Sequence, residues 1–323
     1  MHEPPSQPEP TLYIKAQPLT ELIELIRPAL ERGPVTLEAP HPASTELFEG
    51  ELYHGADGAL LRFRSLRAWL ELAELLGAEL SLRAVCPERE LLRFTLRSAQ
   101  LGPSWHERSL SSGDPEKYGR GSIYARLNKL EEPSLYGQLN RALSLARATD
   151  IKRALIVGCH QGDELRQLSQ WLGERSAGAL LMGVDHSKSA IEEAQRRAQA
   201  MSAQHHELSF TCADARELEP ERFGELELLI SINLLHSPAL DGHALFKSWV
   251  KRLLKPSASV IIGLPCCRYE GVKLRYGAQT VHGGQGELSL LLTDAMFYVR
   301  YLRQQGFQVY VVGRYNMLIV GRR

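Results

Sequence analysis

Leu19, Leu22, Ile23, Ile26 and Leu30 fall three and four positions apart before Gly33-Pro34, so residues 19–32 predict an amphipathic helix. A short strand, Leu12-Tyr-Ile-Lys15, precedes it. Beyond the Gly-Pro break, residues 35–38, 46–53 and 59–63 read as strands separated by proline and glycine. Residues 66–76 read as a helix that stops at Gly77, and residues 79–85 and 90–98 as two more strands. The stretch 12–99 therefore predicts a small α+β domain. The tail over residues 1–11 is rich in Pro and Glu and has no apolar centre, so it reads as a frayed end and not as a signal peptide.

Residues 100–118 are rich in Ser, Gly and Pro, with Trp105 and His106 among them, and read as a linker or lid. Helical spacing returns over residues 122–130 and 135–148, so 100–150 is expected to hold a linker followed by two helices. From Ile151 to Arg323 continuous apolar runs alternate with amphipathic stretches. Residues 153–157, 179–185, 226–231 and 259–264 suit strands buried on both faces. Residues 164–172, 187–200, 247–254 and 287–305 suit the helices between them, and residues 307–313 with 317–321 a terminal antiparallel pair.

Composition narrows the picture. Basic and acidic residues balance at 38 each, so no global field points to nucleic acid or an anionic membrane. No stretch reaches the ~20 apolar residues of a membrane span. Cys86, Cys159, Cys212, Cys266 and Cys267 form an odd set in a chain too long to need disulfide staples, which predicts reduced thiols and a cytoplasmic setting. They show no zinc spacing, and no metal is expected. Arg62, Arg64, Arg67, Arg83, Arg89, Arg93 and Arg97 follow an acidic stretch, but glutamates are interspersed. A solvated sheet face is the expected reading there, and an anion- or RNA-binding patch the alternative.

The chemistry concentrates at strand ends. Arg153–Val157 runs into Gly158-Cys-His-Gln-Gly162-Asp163 and then a helix, and such a glycine turn lets a ligand approach the backbone and the free N–H groups of the helix N-terminus. Its spacing is not the G-x-G-x-x-G of nicotinamide enzymes. It resembles motif I of the class I S-adenosylmethionine-dependent methyltransferases, with His160 in place of the middle glycine and Ile156 where an acidic residue usually stands. Asp185 ends the next apolar run, and Leu208-Ser-Phe-Thr-Cys-Ala-Asp214-Ala215 is similar to motif III of the same family. Asn233-Leu-Leu-His236 and the Leu-Leu-Lys-Pro passage before the run at 259–264 also follow that family in order.

The resemblance covers about half the chain. It implies an α/β fold, a Rossmann-like seven-stranded methyltransferase domain over residues 151–323 with the smaller α+β domain before it, and it implies that the helices of 100–150 cover the cofactor. The cofactor it implies is S-adenosyl-L-methionine, held by Gly158, Cys159, His160, Gly162, Asp185, His186, Asp214, Ala215 and Asn233. Asp185 would accept from the ribose hydroxyls and Asp214 from the adenine amine. Acceptor chemistry is expected beyond the fourth and fifth strands of that domain, from His236, Asn233, Tyr269 and Arg268, with Glu287 as a further candidate. A histidine there suits a general base near neutral pH, and Cys266-Cys267 raises a nucleophilic thiolate, although the second Pro-Cys motif of cytosine-5 RNA methyltransferases is missing. The Gly-rich segment 266–287 is expected to be a binding loop lining the acceptor pocket. A small-molecule acceptor is favoured over RNA; a non-catalytic adenosyl-binding module is the other reading.

Overall fold

The computed structural model describes residues 11–40, 47–55, 57–86, 91–98, 114–122, 124–199, 205–237, 239–270, 273–276 and 288–323. The chain divides into two compact units, residues 1–101 and 102–323. The tail over 1–10 and the linker over 99–113, with Trp105 and His106, lie outside the described residues.

In the first unit β1 (Thr11–Tyr13), α1 (Leu19–Arg32) and β2 (Val35–Pro40) are followed by the hairpin β3 (Leu52–His54) and β4 (Leu60–Arg62). Then come α2 (Leu66–Leu75), β5 (Ala78–Cys86) and β6 (Leu91–Ser98). A four-stranded sheet runs in the order β1-β2-β6-β5, and α1 and α2 bury Leu22, Ile26, Trp69 and Leu72 in one core with Leu37, Phe94 and Leu96. The strand expected over 46–53 is not formed as such. Strand begins only at Leu52, because Glu49 and Gly50 make a turn and Glu51 accepts the Phe48 N–H.

The arginines of this unit do not make the expected solvated face throughout. Arg62 donates to the Gly50 and Ala16 carbonyls at 2.6 and 3.1 Å, and Arg64, buried, donates to the Gln17 carbonyl at 2.6 Å with its guanidinium over Trp69. Arg93 pairs with Glu38. These side chains satisfy loop carbonyls and a buried carboxylate, so their charge is engaged within the fold.

The second unit opens with 3₁₀ turns at Pro115–Tyr118, Tyr124–Arg126 and Lys129–Glu131. It continues through α3 (Pro133–Leu145), β7 (Arg153–Val157), α4 (Asp163–Leu172), β8 (Leu180–Asp185) and α5 (Lys188–Gln199). Next are β9 (Glu207–Cys212), α6 (Pro220–Phe223), β10 (Leu226–Ile232), α7 (Gly242–Arg252) and β11 (Leu254–Pro265). The chain ends with β12 (Cys267–Glu270), β13 (Lys273–Tyr276), α8 (Leu288–Gln304), β14 (Gln308–Gly313) and β15 (Asn316–Arg322).

The seven-stranded sheet has the order β14-β15-β11-β10-β7-β8-β9. Strands β7 to β11 pair in parallel, and β15 runs antiparallel to both β11 and β14. This is the α/β, Rossmann-like architecture. Side chains of β7 alternate between two cores: Leu155 and Val157 pack with Phe246, Trp249 and Leu302, and Ala154 and Ile156 with Leu139, Leu165 and Leu168. The continuous apolar run is explained by that double burial.

Two expectations are corrected. The helix read over 122–130 is a pair of 3₁₀ turns: Ser122 Oγ caps Ala125, and Tyr124 and Lys129 are drawn to α4 and the loop before it. A stretch this short gains little from helix propagation, so those contacts decide its path. The segment after β11 is not a simple loop either, since β12 and β13 pair as a hairpin from Cys267↔Tyr276 to Glu270↔Lys273. Residues 277–287, including Glu287, lie outside the described residues.

Candidate functional site

The strand order reverses between β7 and β10, which opens a crevice beyond their carboxyl ends where open α/β sheets bind ligands. Gly158 and Gly162 bracket the turn leaving β7, with φ of 75° and 81°. The Gly158 and Cys159 N–H groups both donate to the Val184 carbonyl of β8, at 2.8 and 3.0 Å. A Cβ on Gly158 would meet Leu234 at 3.2 Å, and one on Gly162 would meet the Phe210 ring at 2.9 Å. Glycine at these two positions is thus required by conformation and by close approach together.

His160 holds a left-handed backbone, φ 48°, without being glycine. Its N–H donates to Asp185 Oδ2 at 2.9 Å, while Asp185 Oδ1 accepts the Ser187 N–H at 3.0 Å. Asp185 therefore ties the turn after β7 to the start of α5. Its own carbonyl accepts the Ala213 N–H at 3.0 Å, which draws the end of β9 alongside. Asp185→Ala leaves two N–H groups without their acceptor, so it is expected to lower stability by ~1–3 kcal/mol in urea unfolding. A loss below ~0.5 kcal/mol, the range of an uninvolved surface change, would contradict this.

Asp214 follows β9 and accepts from the Arg216 guanidinium at 2.9 and 2.6 Å. Hydrogen bonds from Arg216 hold its carboxyl below the usual range. Ala215 is half-buried and its carbonyl accepts the Trp249 indole N–H at 3.1 Å; His186 is exposed and its carbonyl accepts from the Cys212 thiol.

Asn233 leaves β10 in the left-handed region, φ 60°, which asparagine tolerates better than most residues. Its N–H donates to the Gly263 carbonyl and its amide nitrogen to Asn316 Oδ1 at 3.0 Å, while its own Oδ1 is buried without a partner. Leu234 packs against Gly158, so this segment adjoins the turn, and His236 is half-buried two residues further on. Gly158, Asp185, Asp214 and Asn233 thus gather at the carboxyl edges of β7, β8, β9 and β10. Arg268 and Tyr269 lie in β12, and their side chains are outside the described residues. Cys266 is buried, and burial pushes its thiol up, the opposite of what a nucleophilic thiolate needs; Cys159 is buried likewise and pushed well up.

Sequence reasoning missed the residues that cover the turn. Glu116 accepts from Ser187 Oγ and from the Ser189 N–H at 3.2 Å, and hydrogen bonds from Ser189 hold its carboxyl down. His160 Nε2 lies 2.8 Å from the Tyr118 carbonyl, and its ring meets that of Tyr124 edge-on at 4.7 Å. A carbonyl only accepts, so Nε2 carries the proton. Burial and then the Lys129 charge lower the His160 pKa, which keeps the ring neutral. Lys129 Nζ donates to Glu164 Oε1 at 2.7 Å, and the Lys129 N–H to Asp163 Oδ2 at 3.0 Å. Burial opposes the lysine charge, but Glu164 and Tyr124 outweigh it and hold the pKa well above its ordinary value. Nothing in the sequence signalled this, since Lys129 stands between Asn128 and Leu130 with Glu131 and Glu132 close by, as a solvated lysine would. Asn316, paired with Asn233, carried no signal.

A family model described as a methyltransferase domain matches residues 154–257. No curated protein matches the chain. Solved structures similar to it include magnesium protoporphyrin IX methyltransferase of Synechocystis PCC 6803 with bound S-adenosylmethionine, 18% identical, covering 64% of this chain and 87% of that one at a TM-score of 0.40. The PH0226 protein of Pyrococcus horikoshii is 19% identical over 64% of this chain and 95% of its own, TM-score 0.41. The methyltransferase domain of bacterial CtHen1-C is 16% identical over 58% and 97%, TM-score 0.43.

Proposed function

Because residues 154–257 match a methyltransferase-domain family model, we propose that the protein is an S-adenosylmethionine-dependent methyltransferase. One observation carries the reading: glycine turn, two carboxylates and an asparagine follow four adjacent parallel strands at the crevice where the strand order reverses. The fit rests on this chain's own features. The Gly158–Gly162 turn has the left-handed conformation and close approach that a bound group beside the backbone needs, and Asn233 Oδ1 and Gln161 Oε1 are buried acceptors without partners next to it. Gly158, Cys159, His160 and Gly162 would hold the cofactor through their turn, with Asp185, His186, Asp214, Ala215 and Asn233 on its adenosyl and methionyl groups.

Both carboxylates retain lone pairs beyond those already engaged, so each can accept a further hydroxyl or amine proton. Bound S-adenosylmethionine supplies an electrophilic methyl group, so the chain has to align a nucleophile and take up at most one proton. His236, two residues beyond the Leu234 that packs on the turn, is the base we assign to that proton, and Asn233 orients the acceptor. Arg268 and Tyr269 are assigned to the acceptor side. The acceptor we infer is a small molecule, a reading supported by the engagement of Arg62, Arg64 and Arg93 within their own unit.

Isothermal titration with S-adenosylmethionine tests the cofactor, and labelled cofactor incubated with fractionated extract tests transfer. Uptake of label into RNA would replace the small-molecule acceptor, and absence of any binding would overturn the proposal. Asp214→Ala is expected to weaken cofactor binding by ~1–3 kcal/mol, the cost of one lost polar contact. Unchanged affinity in that variant would remove Asp214 from the site.

A further inference from the structure

The ring of His160 does something that the glycine expected at its position would not. We infer that His160 is a positioning residue, a latch fastening the segment 114–131 onto the cofactor turn, so that its ring sets how long the bound adenosyl donor stays. The inference rests on the proposed function for the identity of the donor.

One residue here connects three parts of the site. Its main-chain N–H is held by Asp185, its Nε2–H by the Tyr118 carbonyl, and its ring by the T-shaped contact with Tyr124, which in turn packs edge-on with Tyr118 at 5.5 Å. A non-glycine side chain in the left-handed region is strained where glycine is not, so the turn would form more readily with glycine. The contacts to Tyr118 and Tyr124 offset that cost. They also give the covering segment a direct bond to the turn itself.

Its other bonds fall elsewhere on its neighbours. Glu116 and Arg120 meet the start of α5, Lys129 meets Asp163 and Glu164 on α4, and Ala125 accepts from Gln161 at 3.2 Å. The two ends of the segment are therefore anchored to helix starts, and its middle is held by the turn. Lifting the segment off the turn requires breaking the bond from His160 Nε2 to Tyr118 together with that from Gln161 to Ala125.

The test uses the full chain with His160→Gly and His160→Asn. Glycine and asparagine both suit the left-handed backbone, so the turn is kept, while neither side chain reaches as the imidazole does. Release of S-adenosylmethionine, followed by displacement with excess unlabelled ligand, is expected to be about tenfold faster in both variants, as lost contacts act mainly on the off-rate. Amide hydrogen exchange over 114–131 in the ligand-free protein should rise as well, with the melting temperature of the fold little changed. Release and exchange both equal to wild type would overturn the latch. Failure of the wild type to take up S-adenosylmethionine would instead overturn the proposed function. The exchange measurement then still decides the latch: it stands if His160→Gly opens 114–131 and falls if it does not.

Discussion

Replacing Lys129 by methionine is expected to destabilise the second unit by about 3–5 kcal/mol, because it leaves the Glu164 carboxylate buried without its partner. The side chains of Lys129 and Glu164 are 7% and 3% exposed, so water cannot substitute for the lost charge. One oxygen of Glu164 has no partner even with the lysine in place. Desolvation of the pair is costly, and the mutual attraction offsets it only while both members are present. Lys129→Met combined with Glu164→Leu should therefore recover most of the loss, since an apolar pair of similar size carries no desolvation penalty. Denaturant unfolding of the two single variants and the double variant forms a cycle that measures the coupling. Single losses below ~1 kcal/mol, typical of solvated pairs, would show that the pair is hydrated in solution.

The same pair explains what could and could not be seen in the sequence. The core strands of the second unit were legible because double burial imposes a continuous apolar run, as in Arg153–Val157, and because the runs of β7, β8 and β10 end at Gly158, Asp185 and Asn233. The sheet-end positions of Gly158, Asp185, Asp214 and Asn233 follow from those local signals. A cover before the first strand of this domain was expected from the family resemblance, but its residues and its form were not legible. Tyr118, Tyr124 and Lys129 owe their places to partners 35 to 42 residues away, on the turn and on α4, and helical spacing of the intervening apolar residues pointed to an element that those partners override.

The hairpin β12–β13 was hidden differently. Glycines around it read as flexible joints, although Glu270 and Lys273 pair across the two strands. In the first unit, Arg62 and Arg64 read as surface charge because nothing local shows that they reach carbonyls of the chain before α1 and before β3. Long flexible donors can satisfy distant backbone groups while keeping an ordinary surface composition, so pattern alone does not separate the two roles.

Deletion of residues 1–101 is expected to leave cofactor binding intact and to reduce methyl transfer by at least ~100-fold, the equivalent of ~2.7 kcal/mol of acceptor binding. The first half of that expectation follows from the sheet. All strands from β14 through β15, β11, β10, β7 and β8 to β9 belong to residues 102–323, as do both cores that flank them and all four strand ends proposed to hold the cofactor. The second half follows from the first unit's independence. It has its own four-stranded sheet, its own helices and a core containing Trp69 and Phe94, none of which the other unit's sheet needs for closure. A separately folded unit that supplies none of the residues proposed to hold the cofactor is most simply assigned to the acceptor, which it would select or position. The comparison requires a truncated chain that remains folded by circular dichroism and still binds S-adenosylmethionine in titration, assayed beside the full chain on the acceptor found in extract. Full transfer by that shorter chain would show that the acceptor is recognised by residues 102–323 alone.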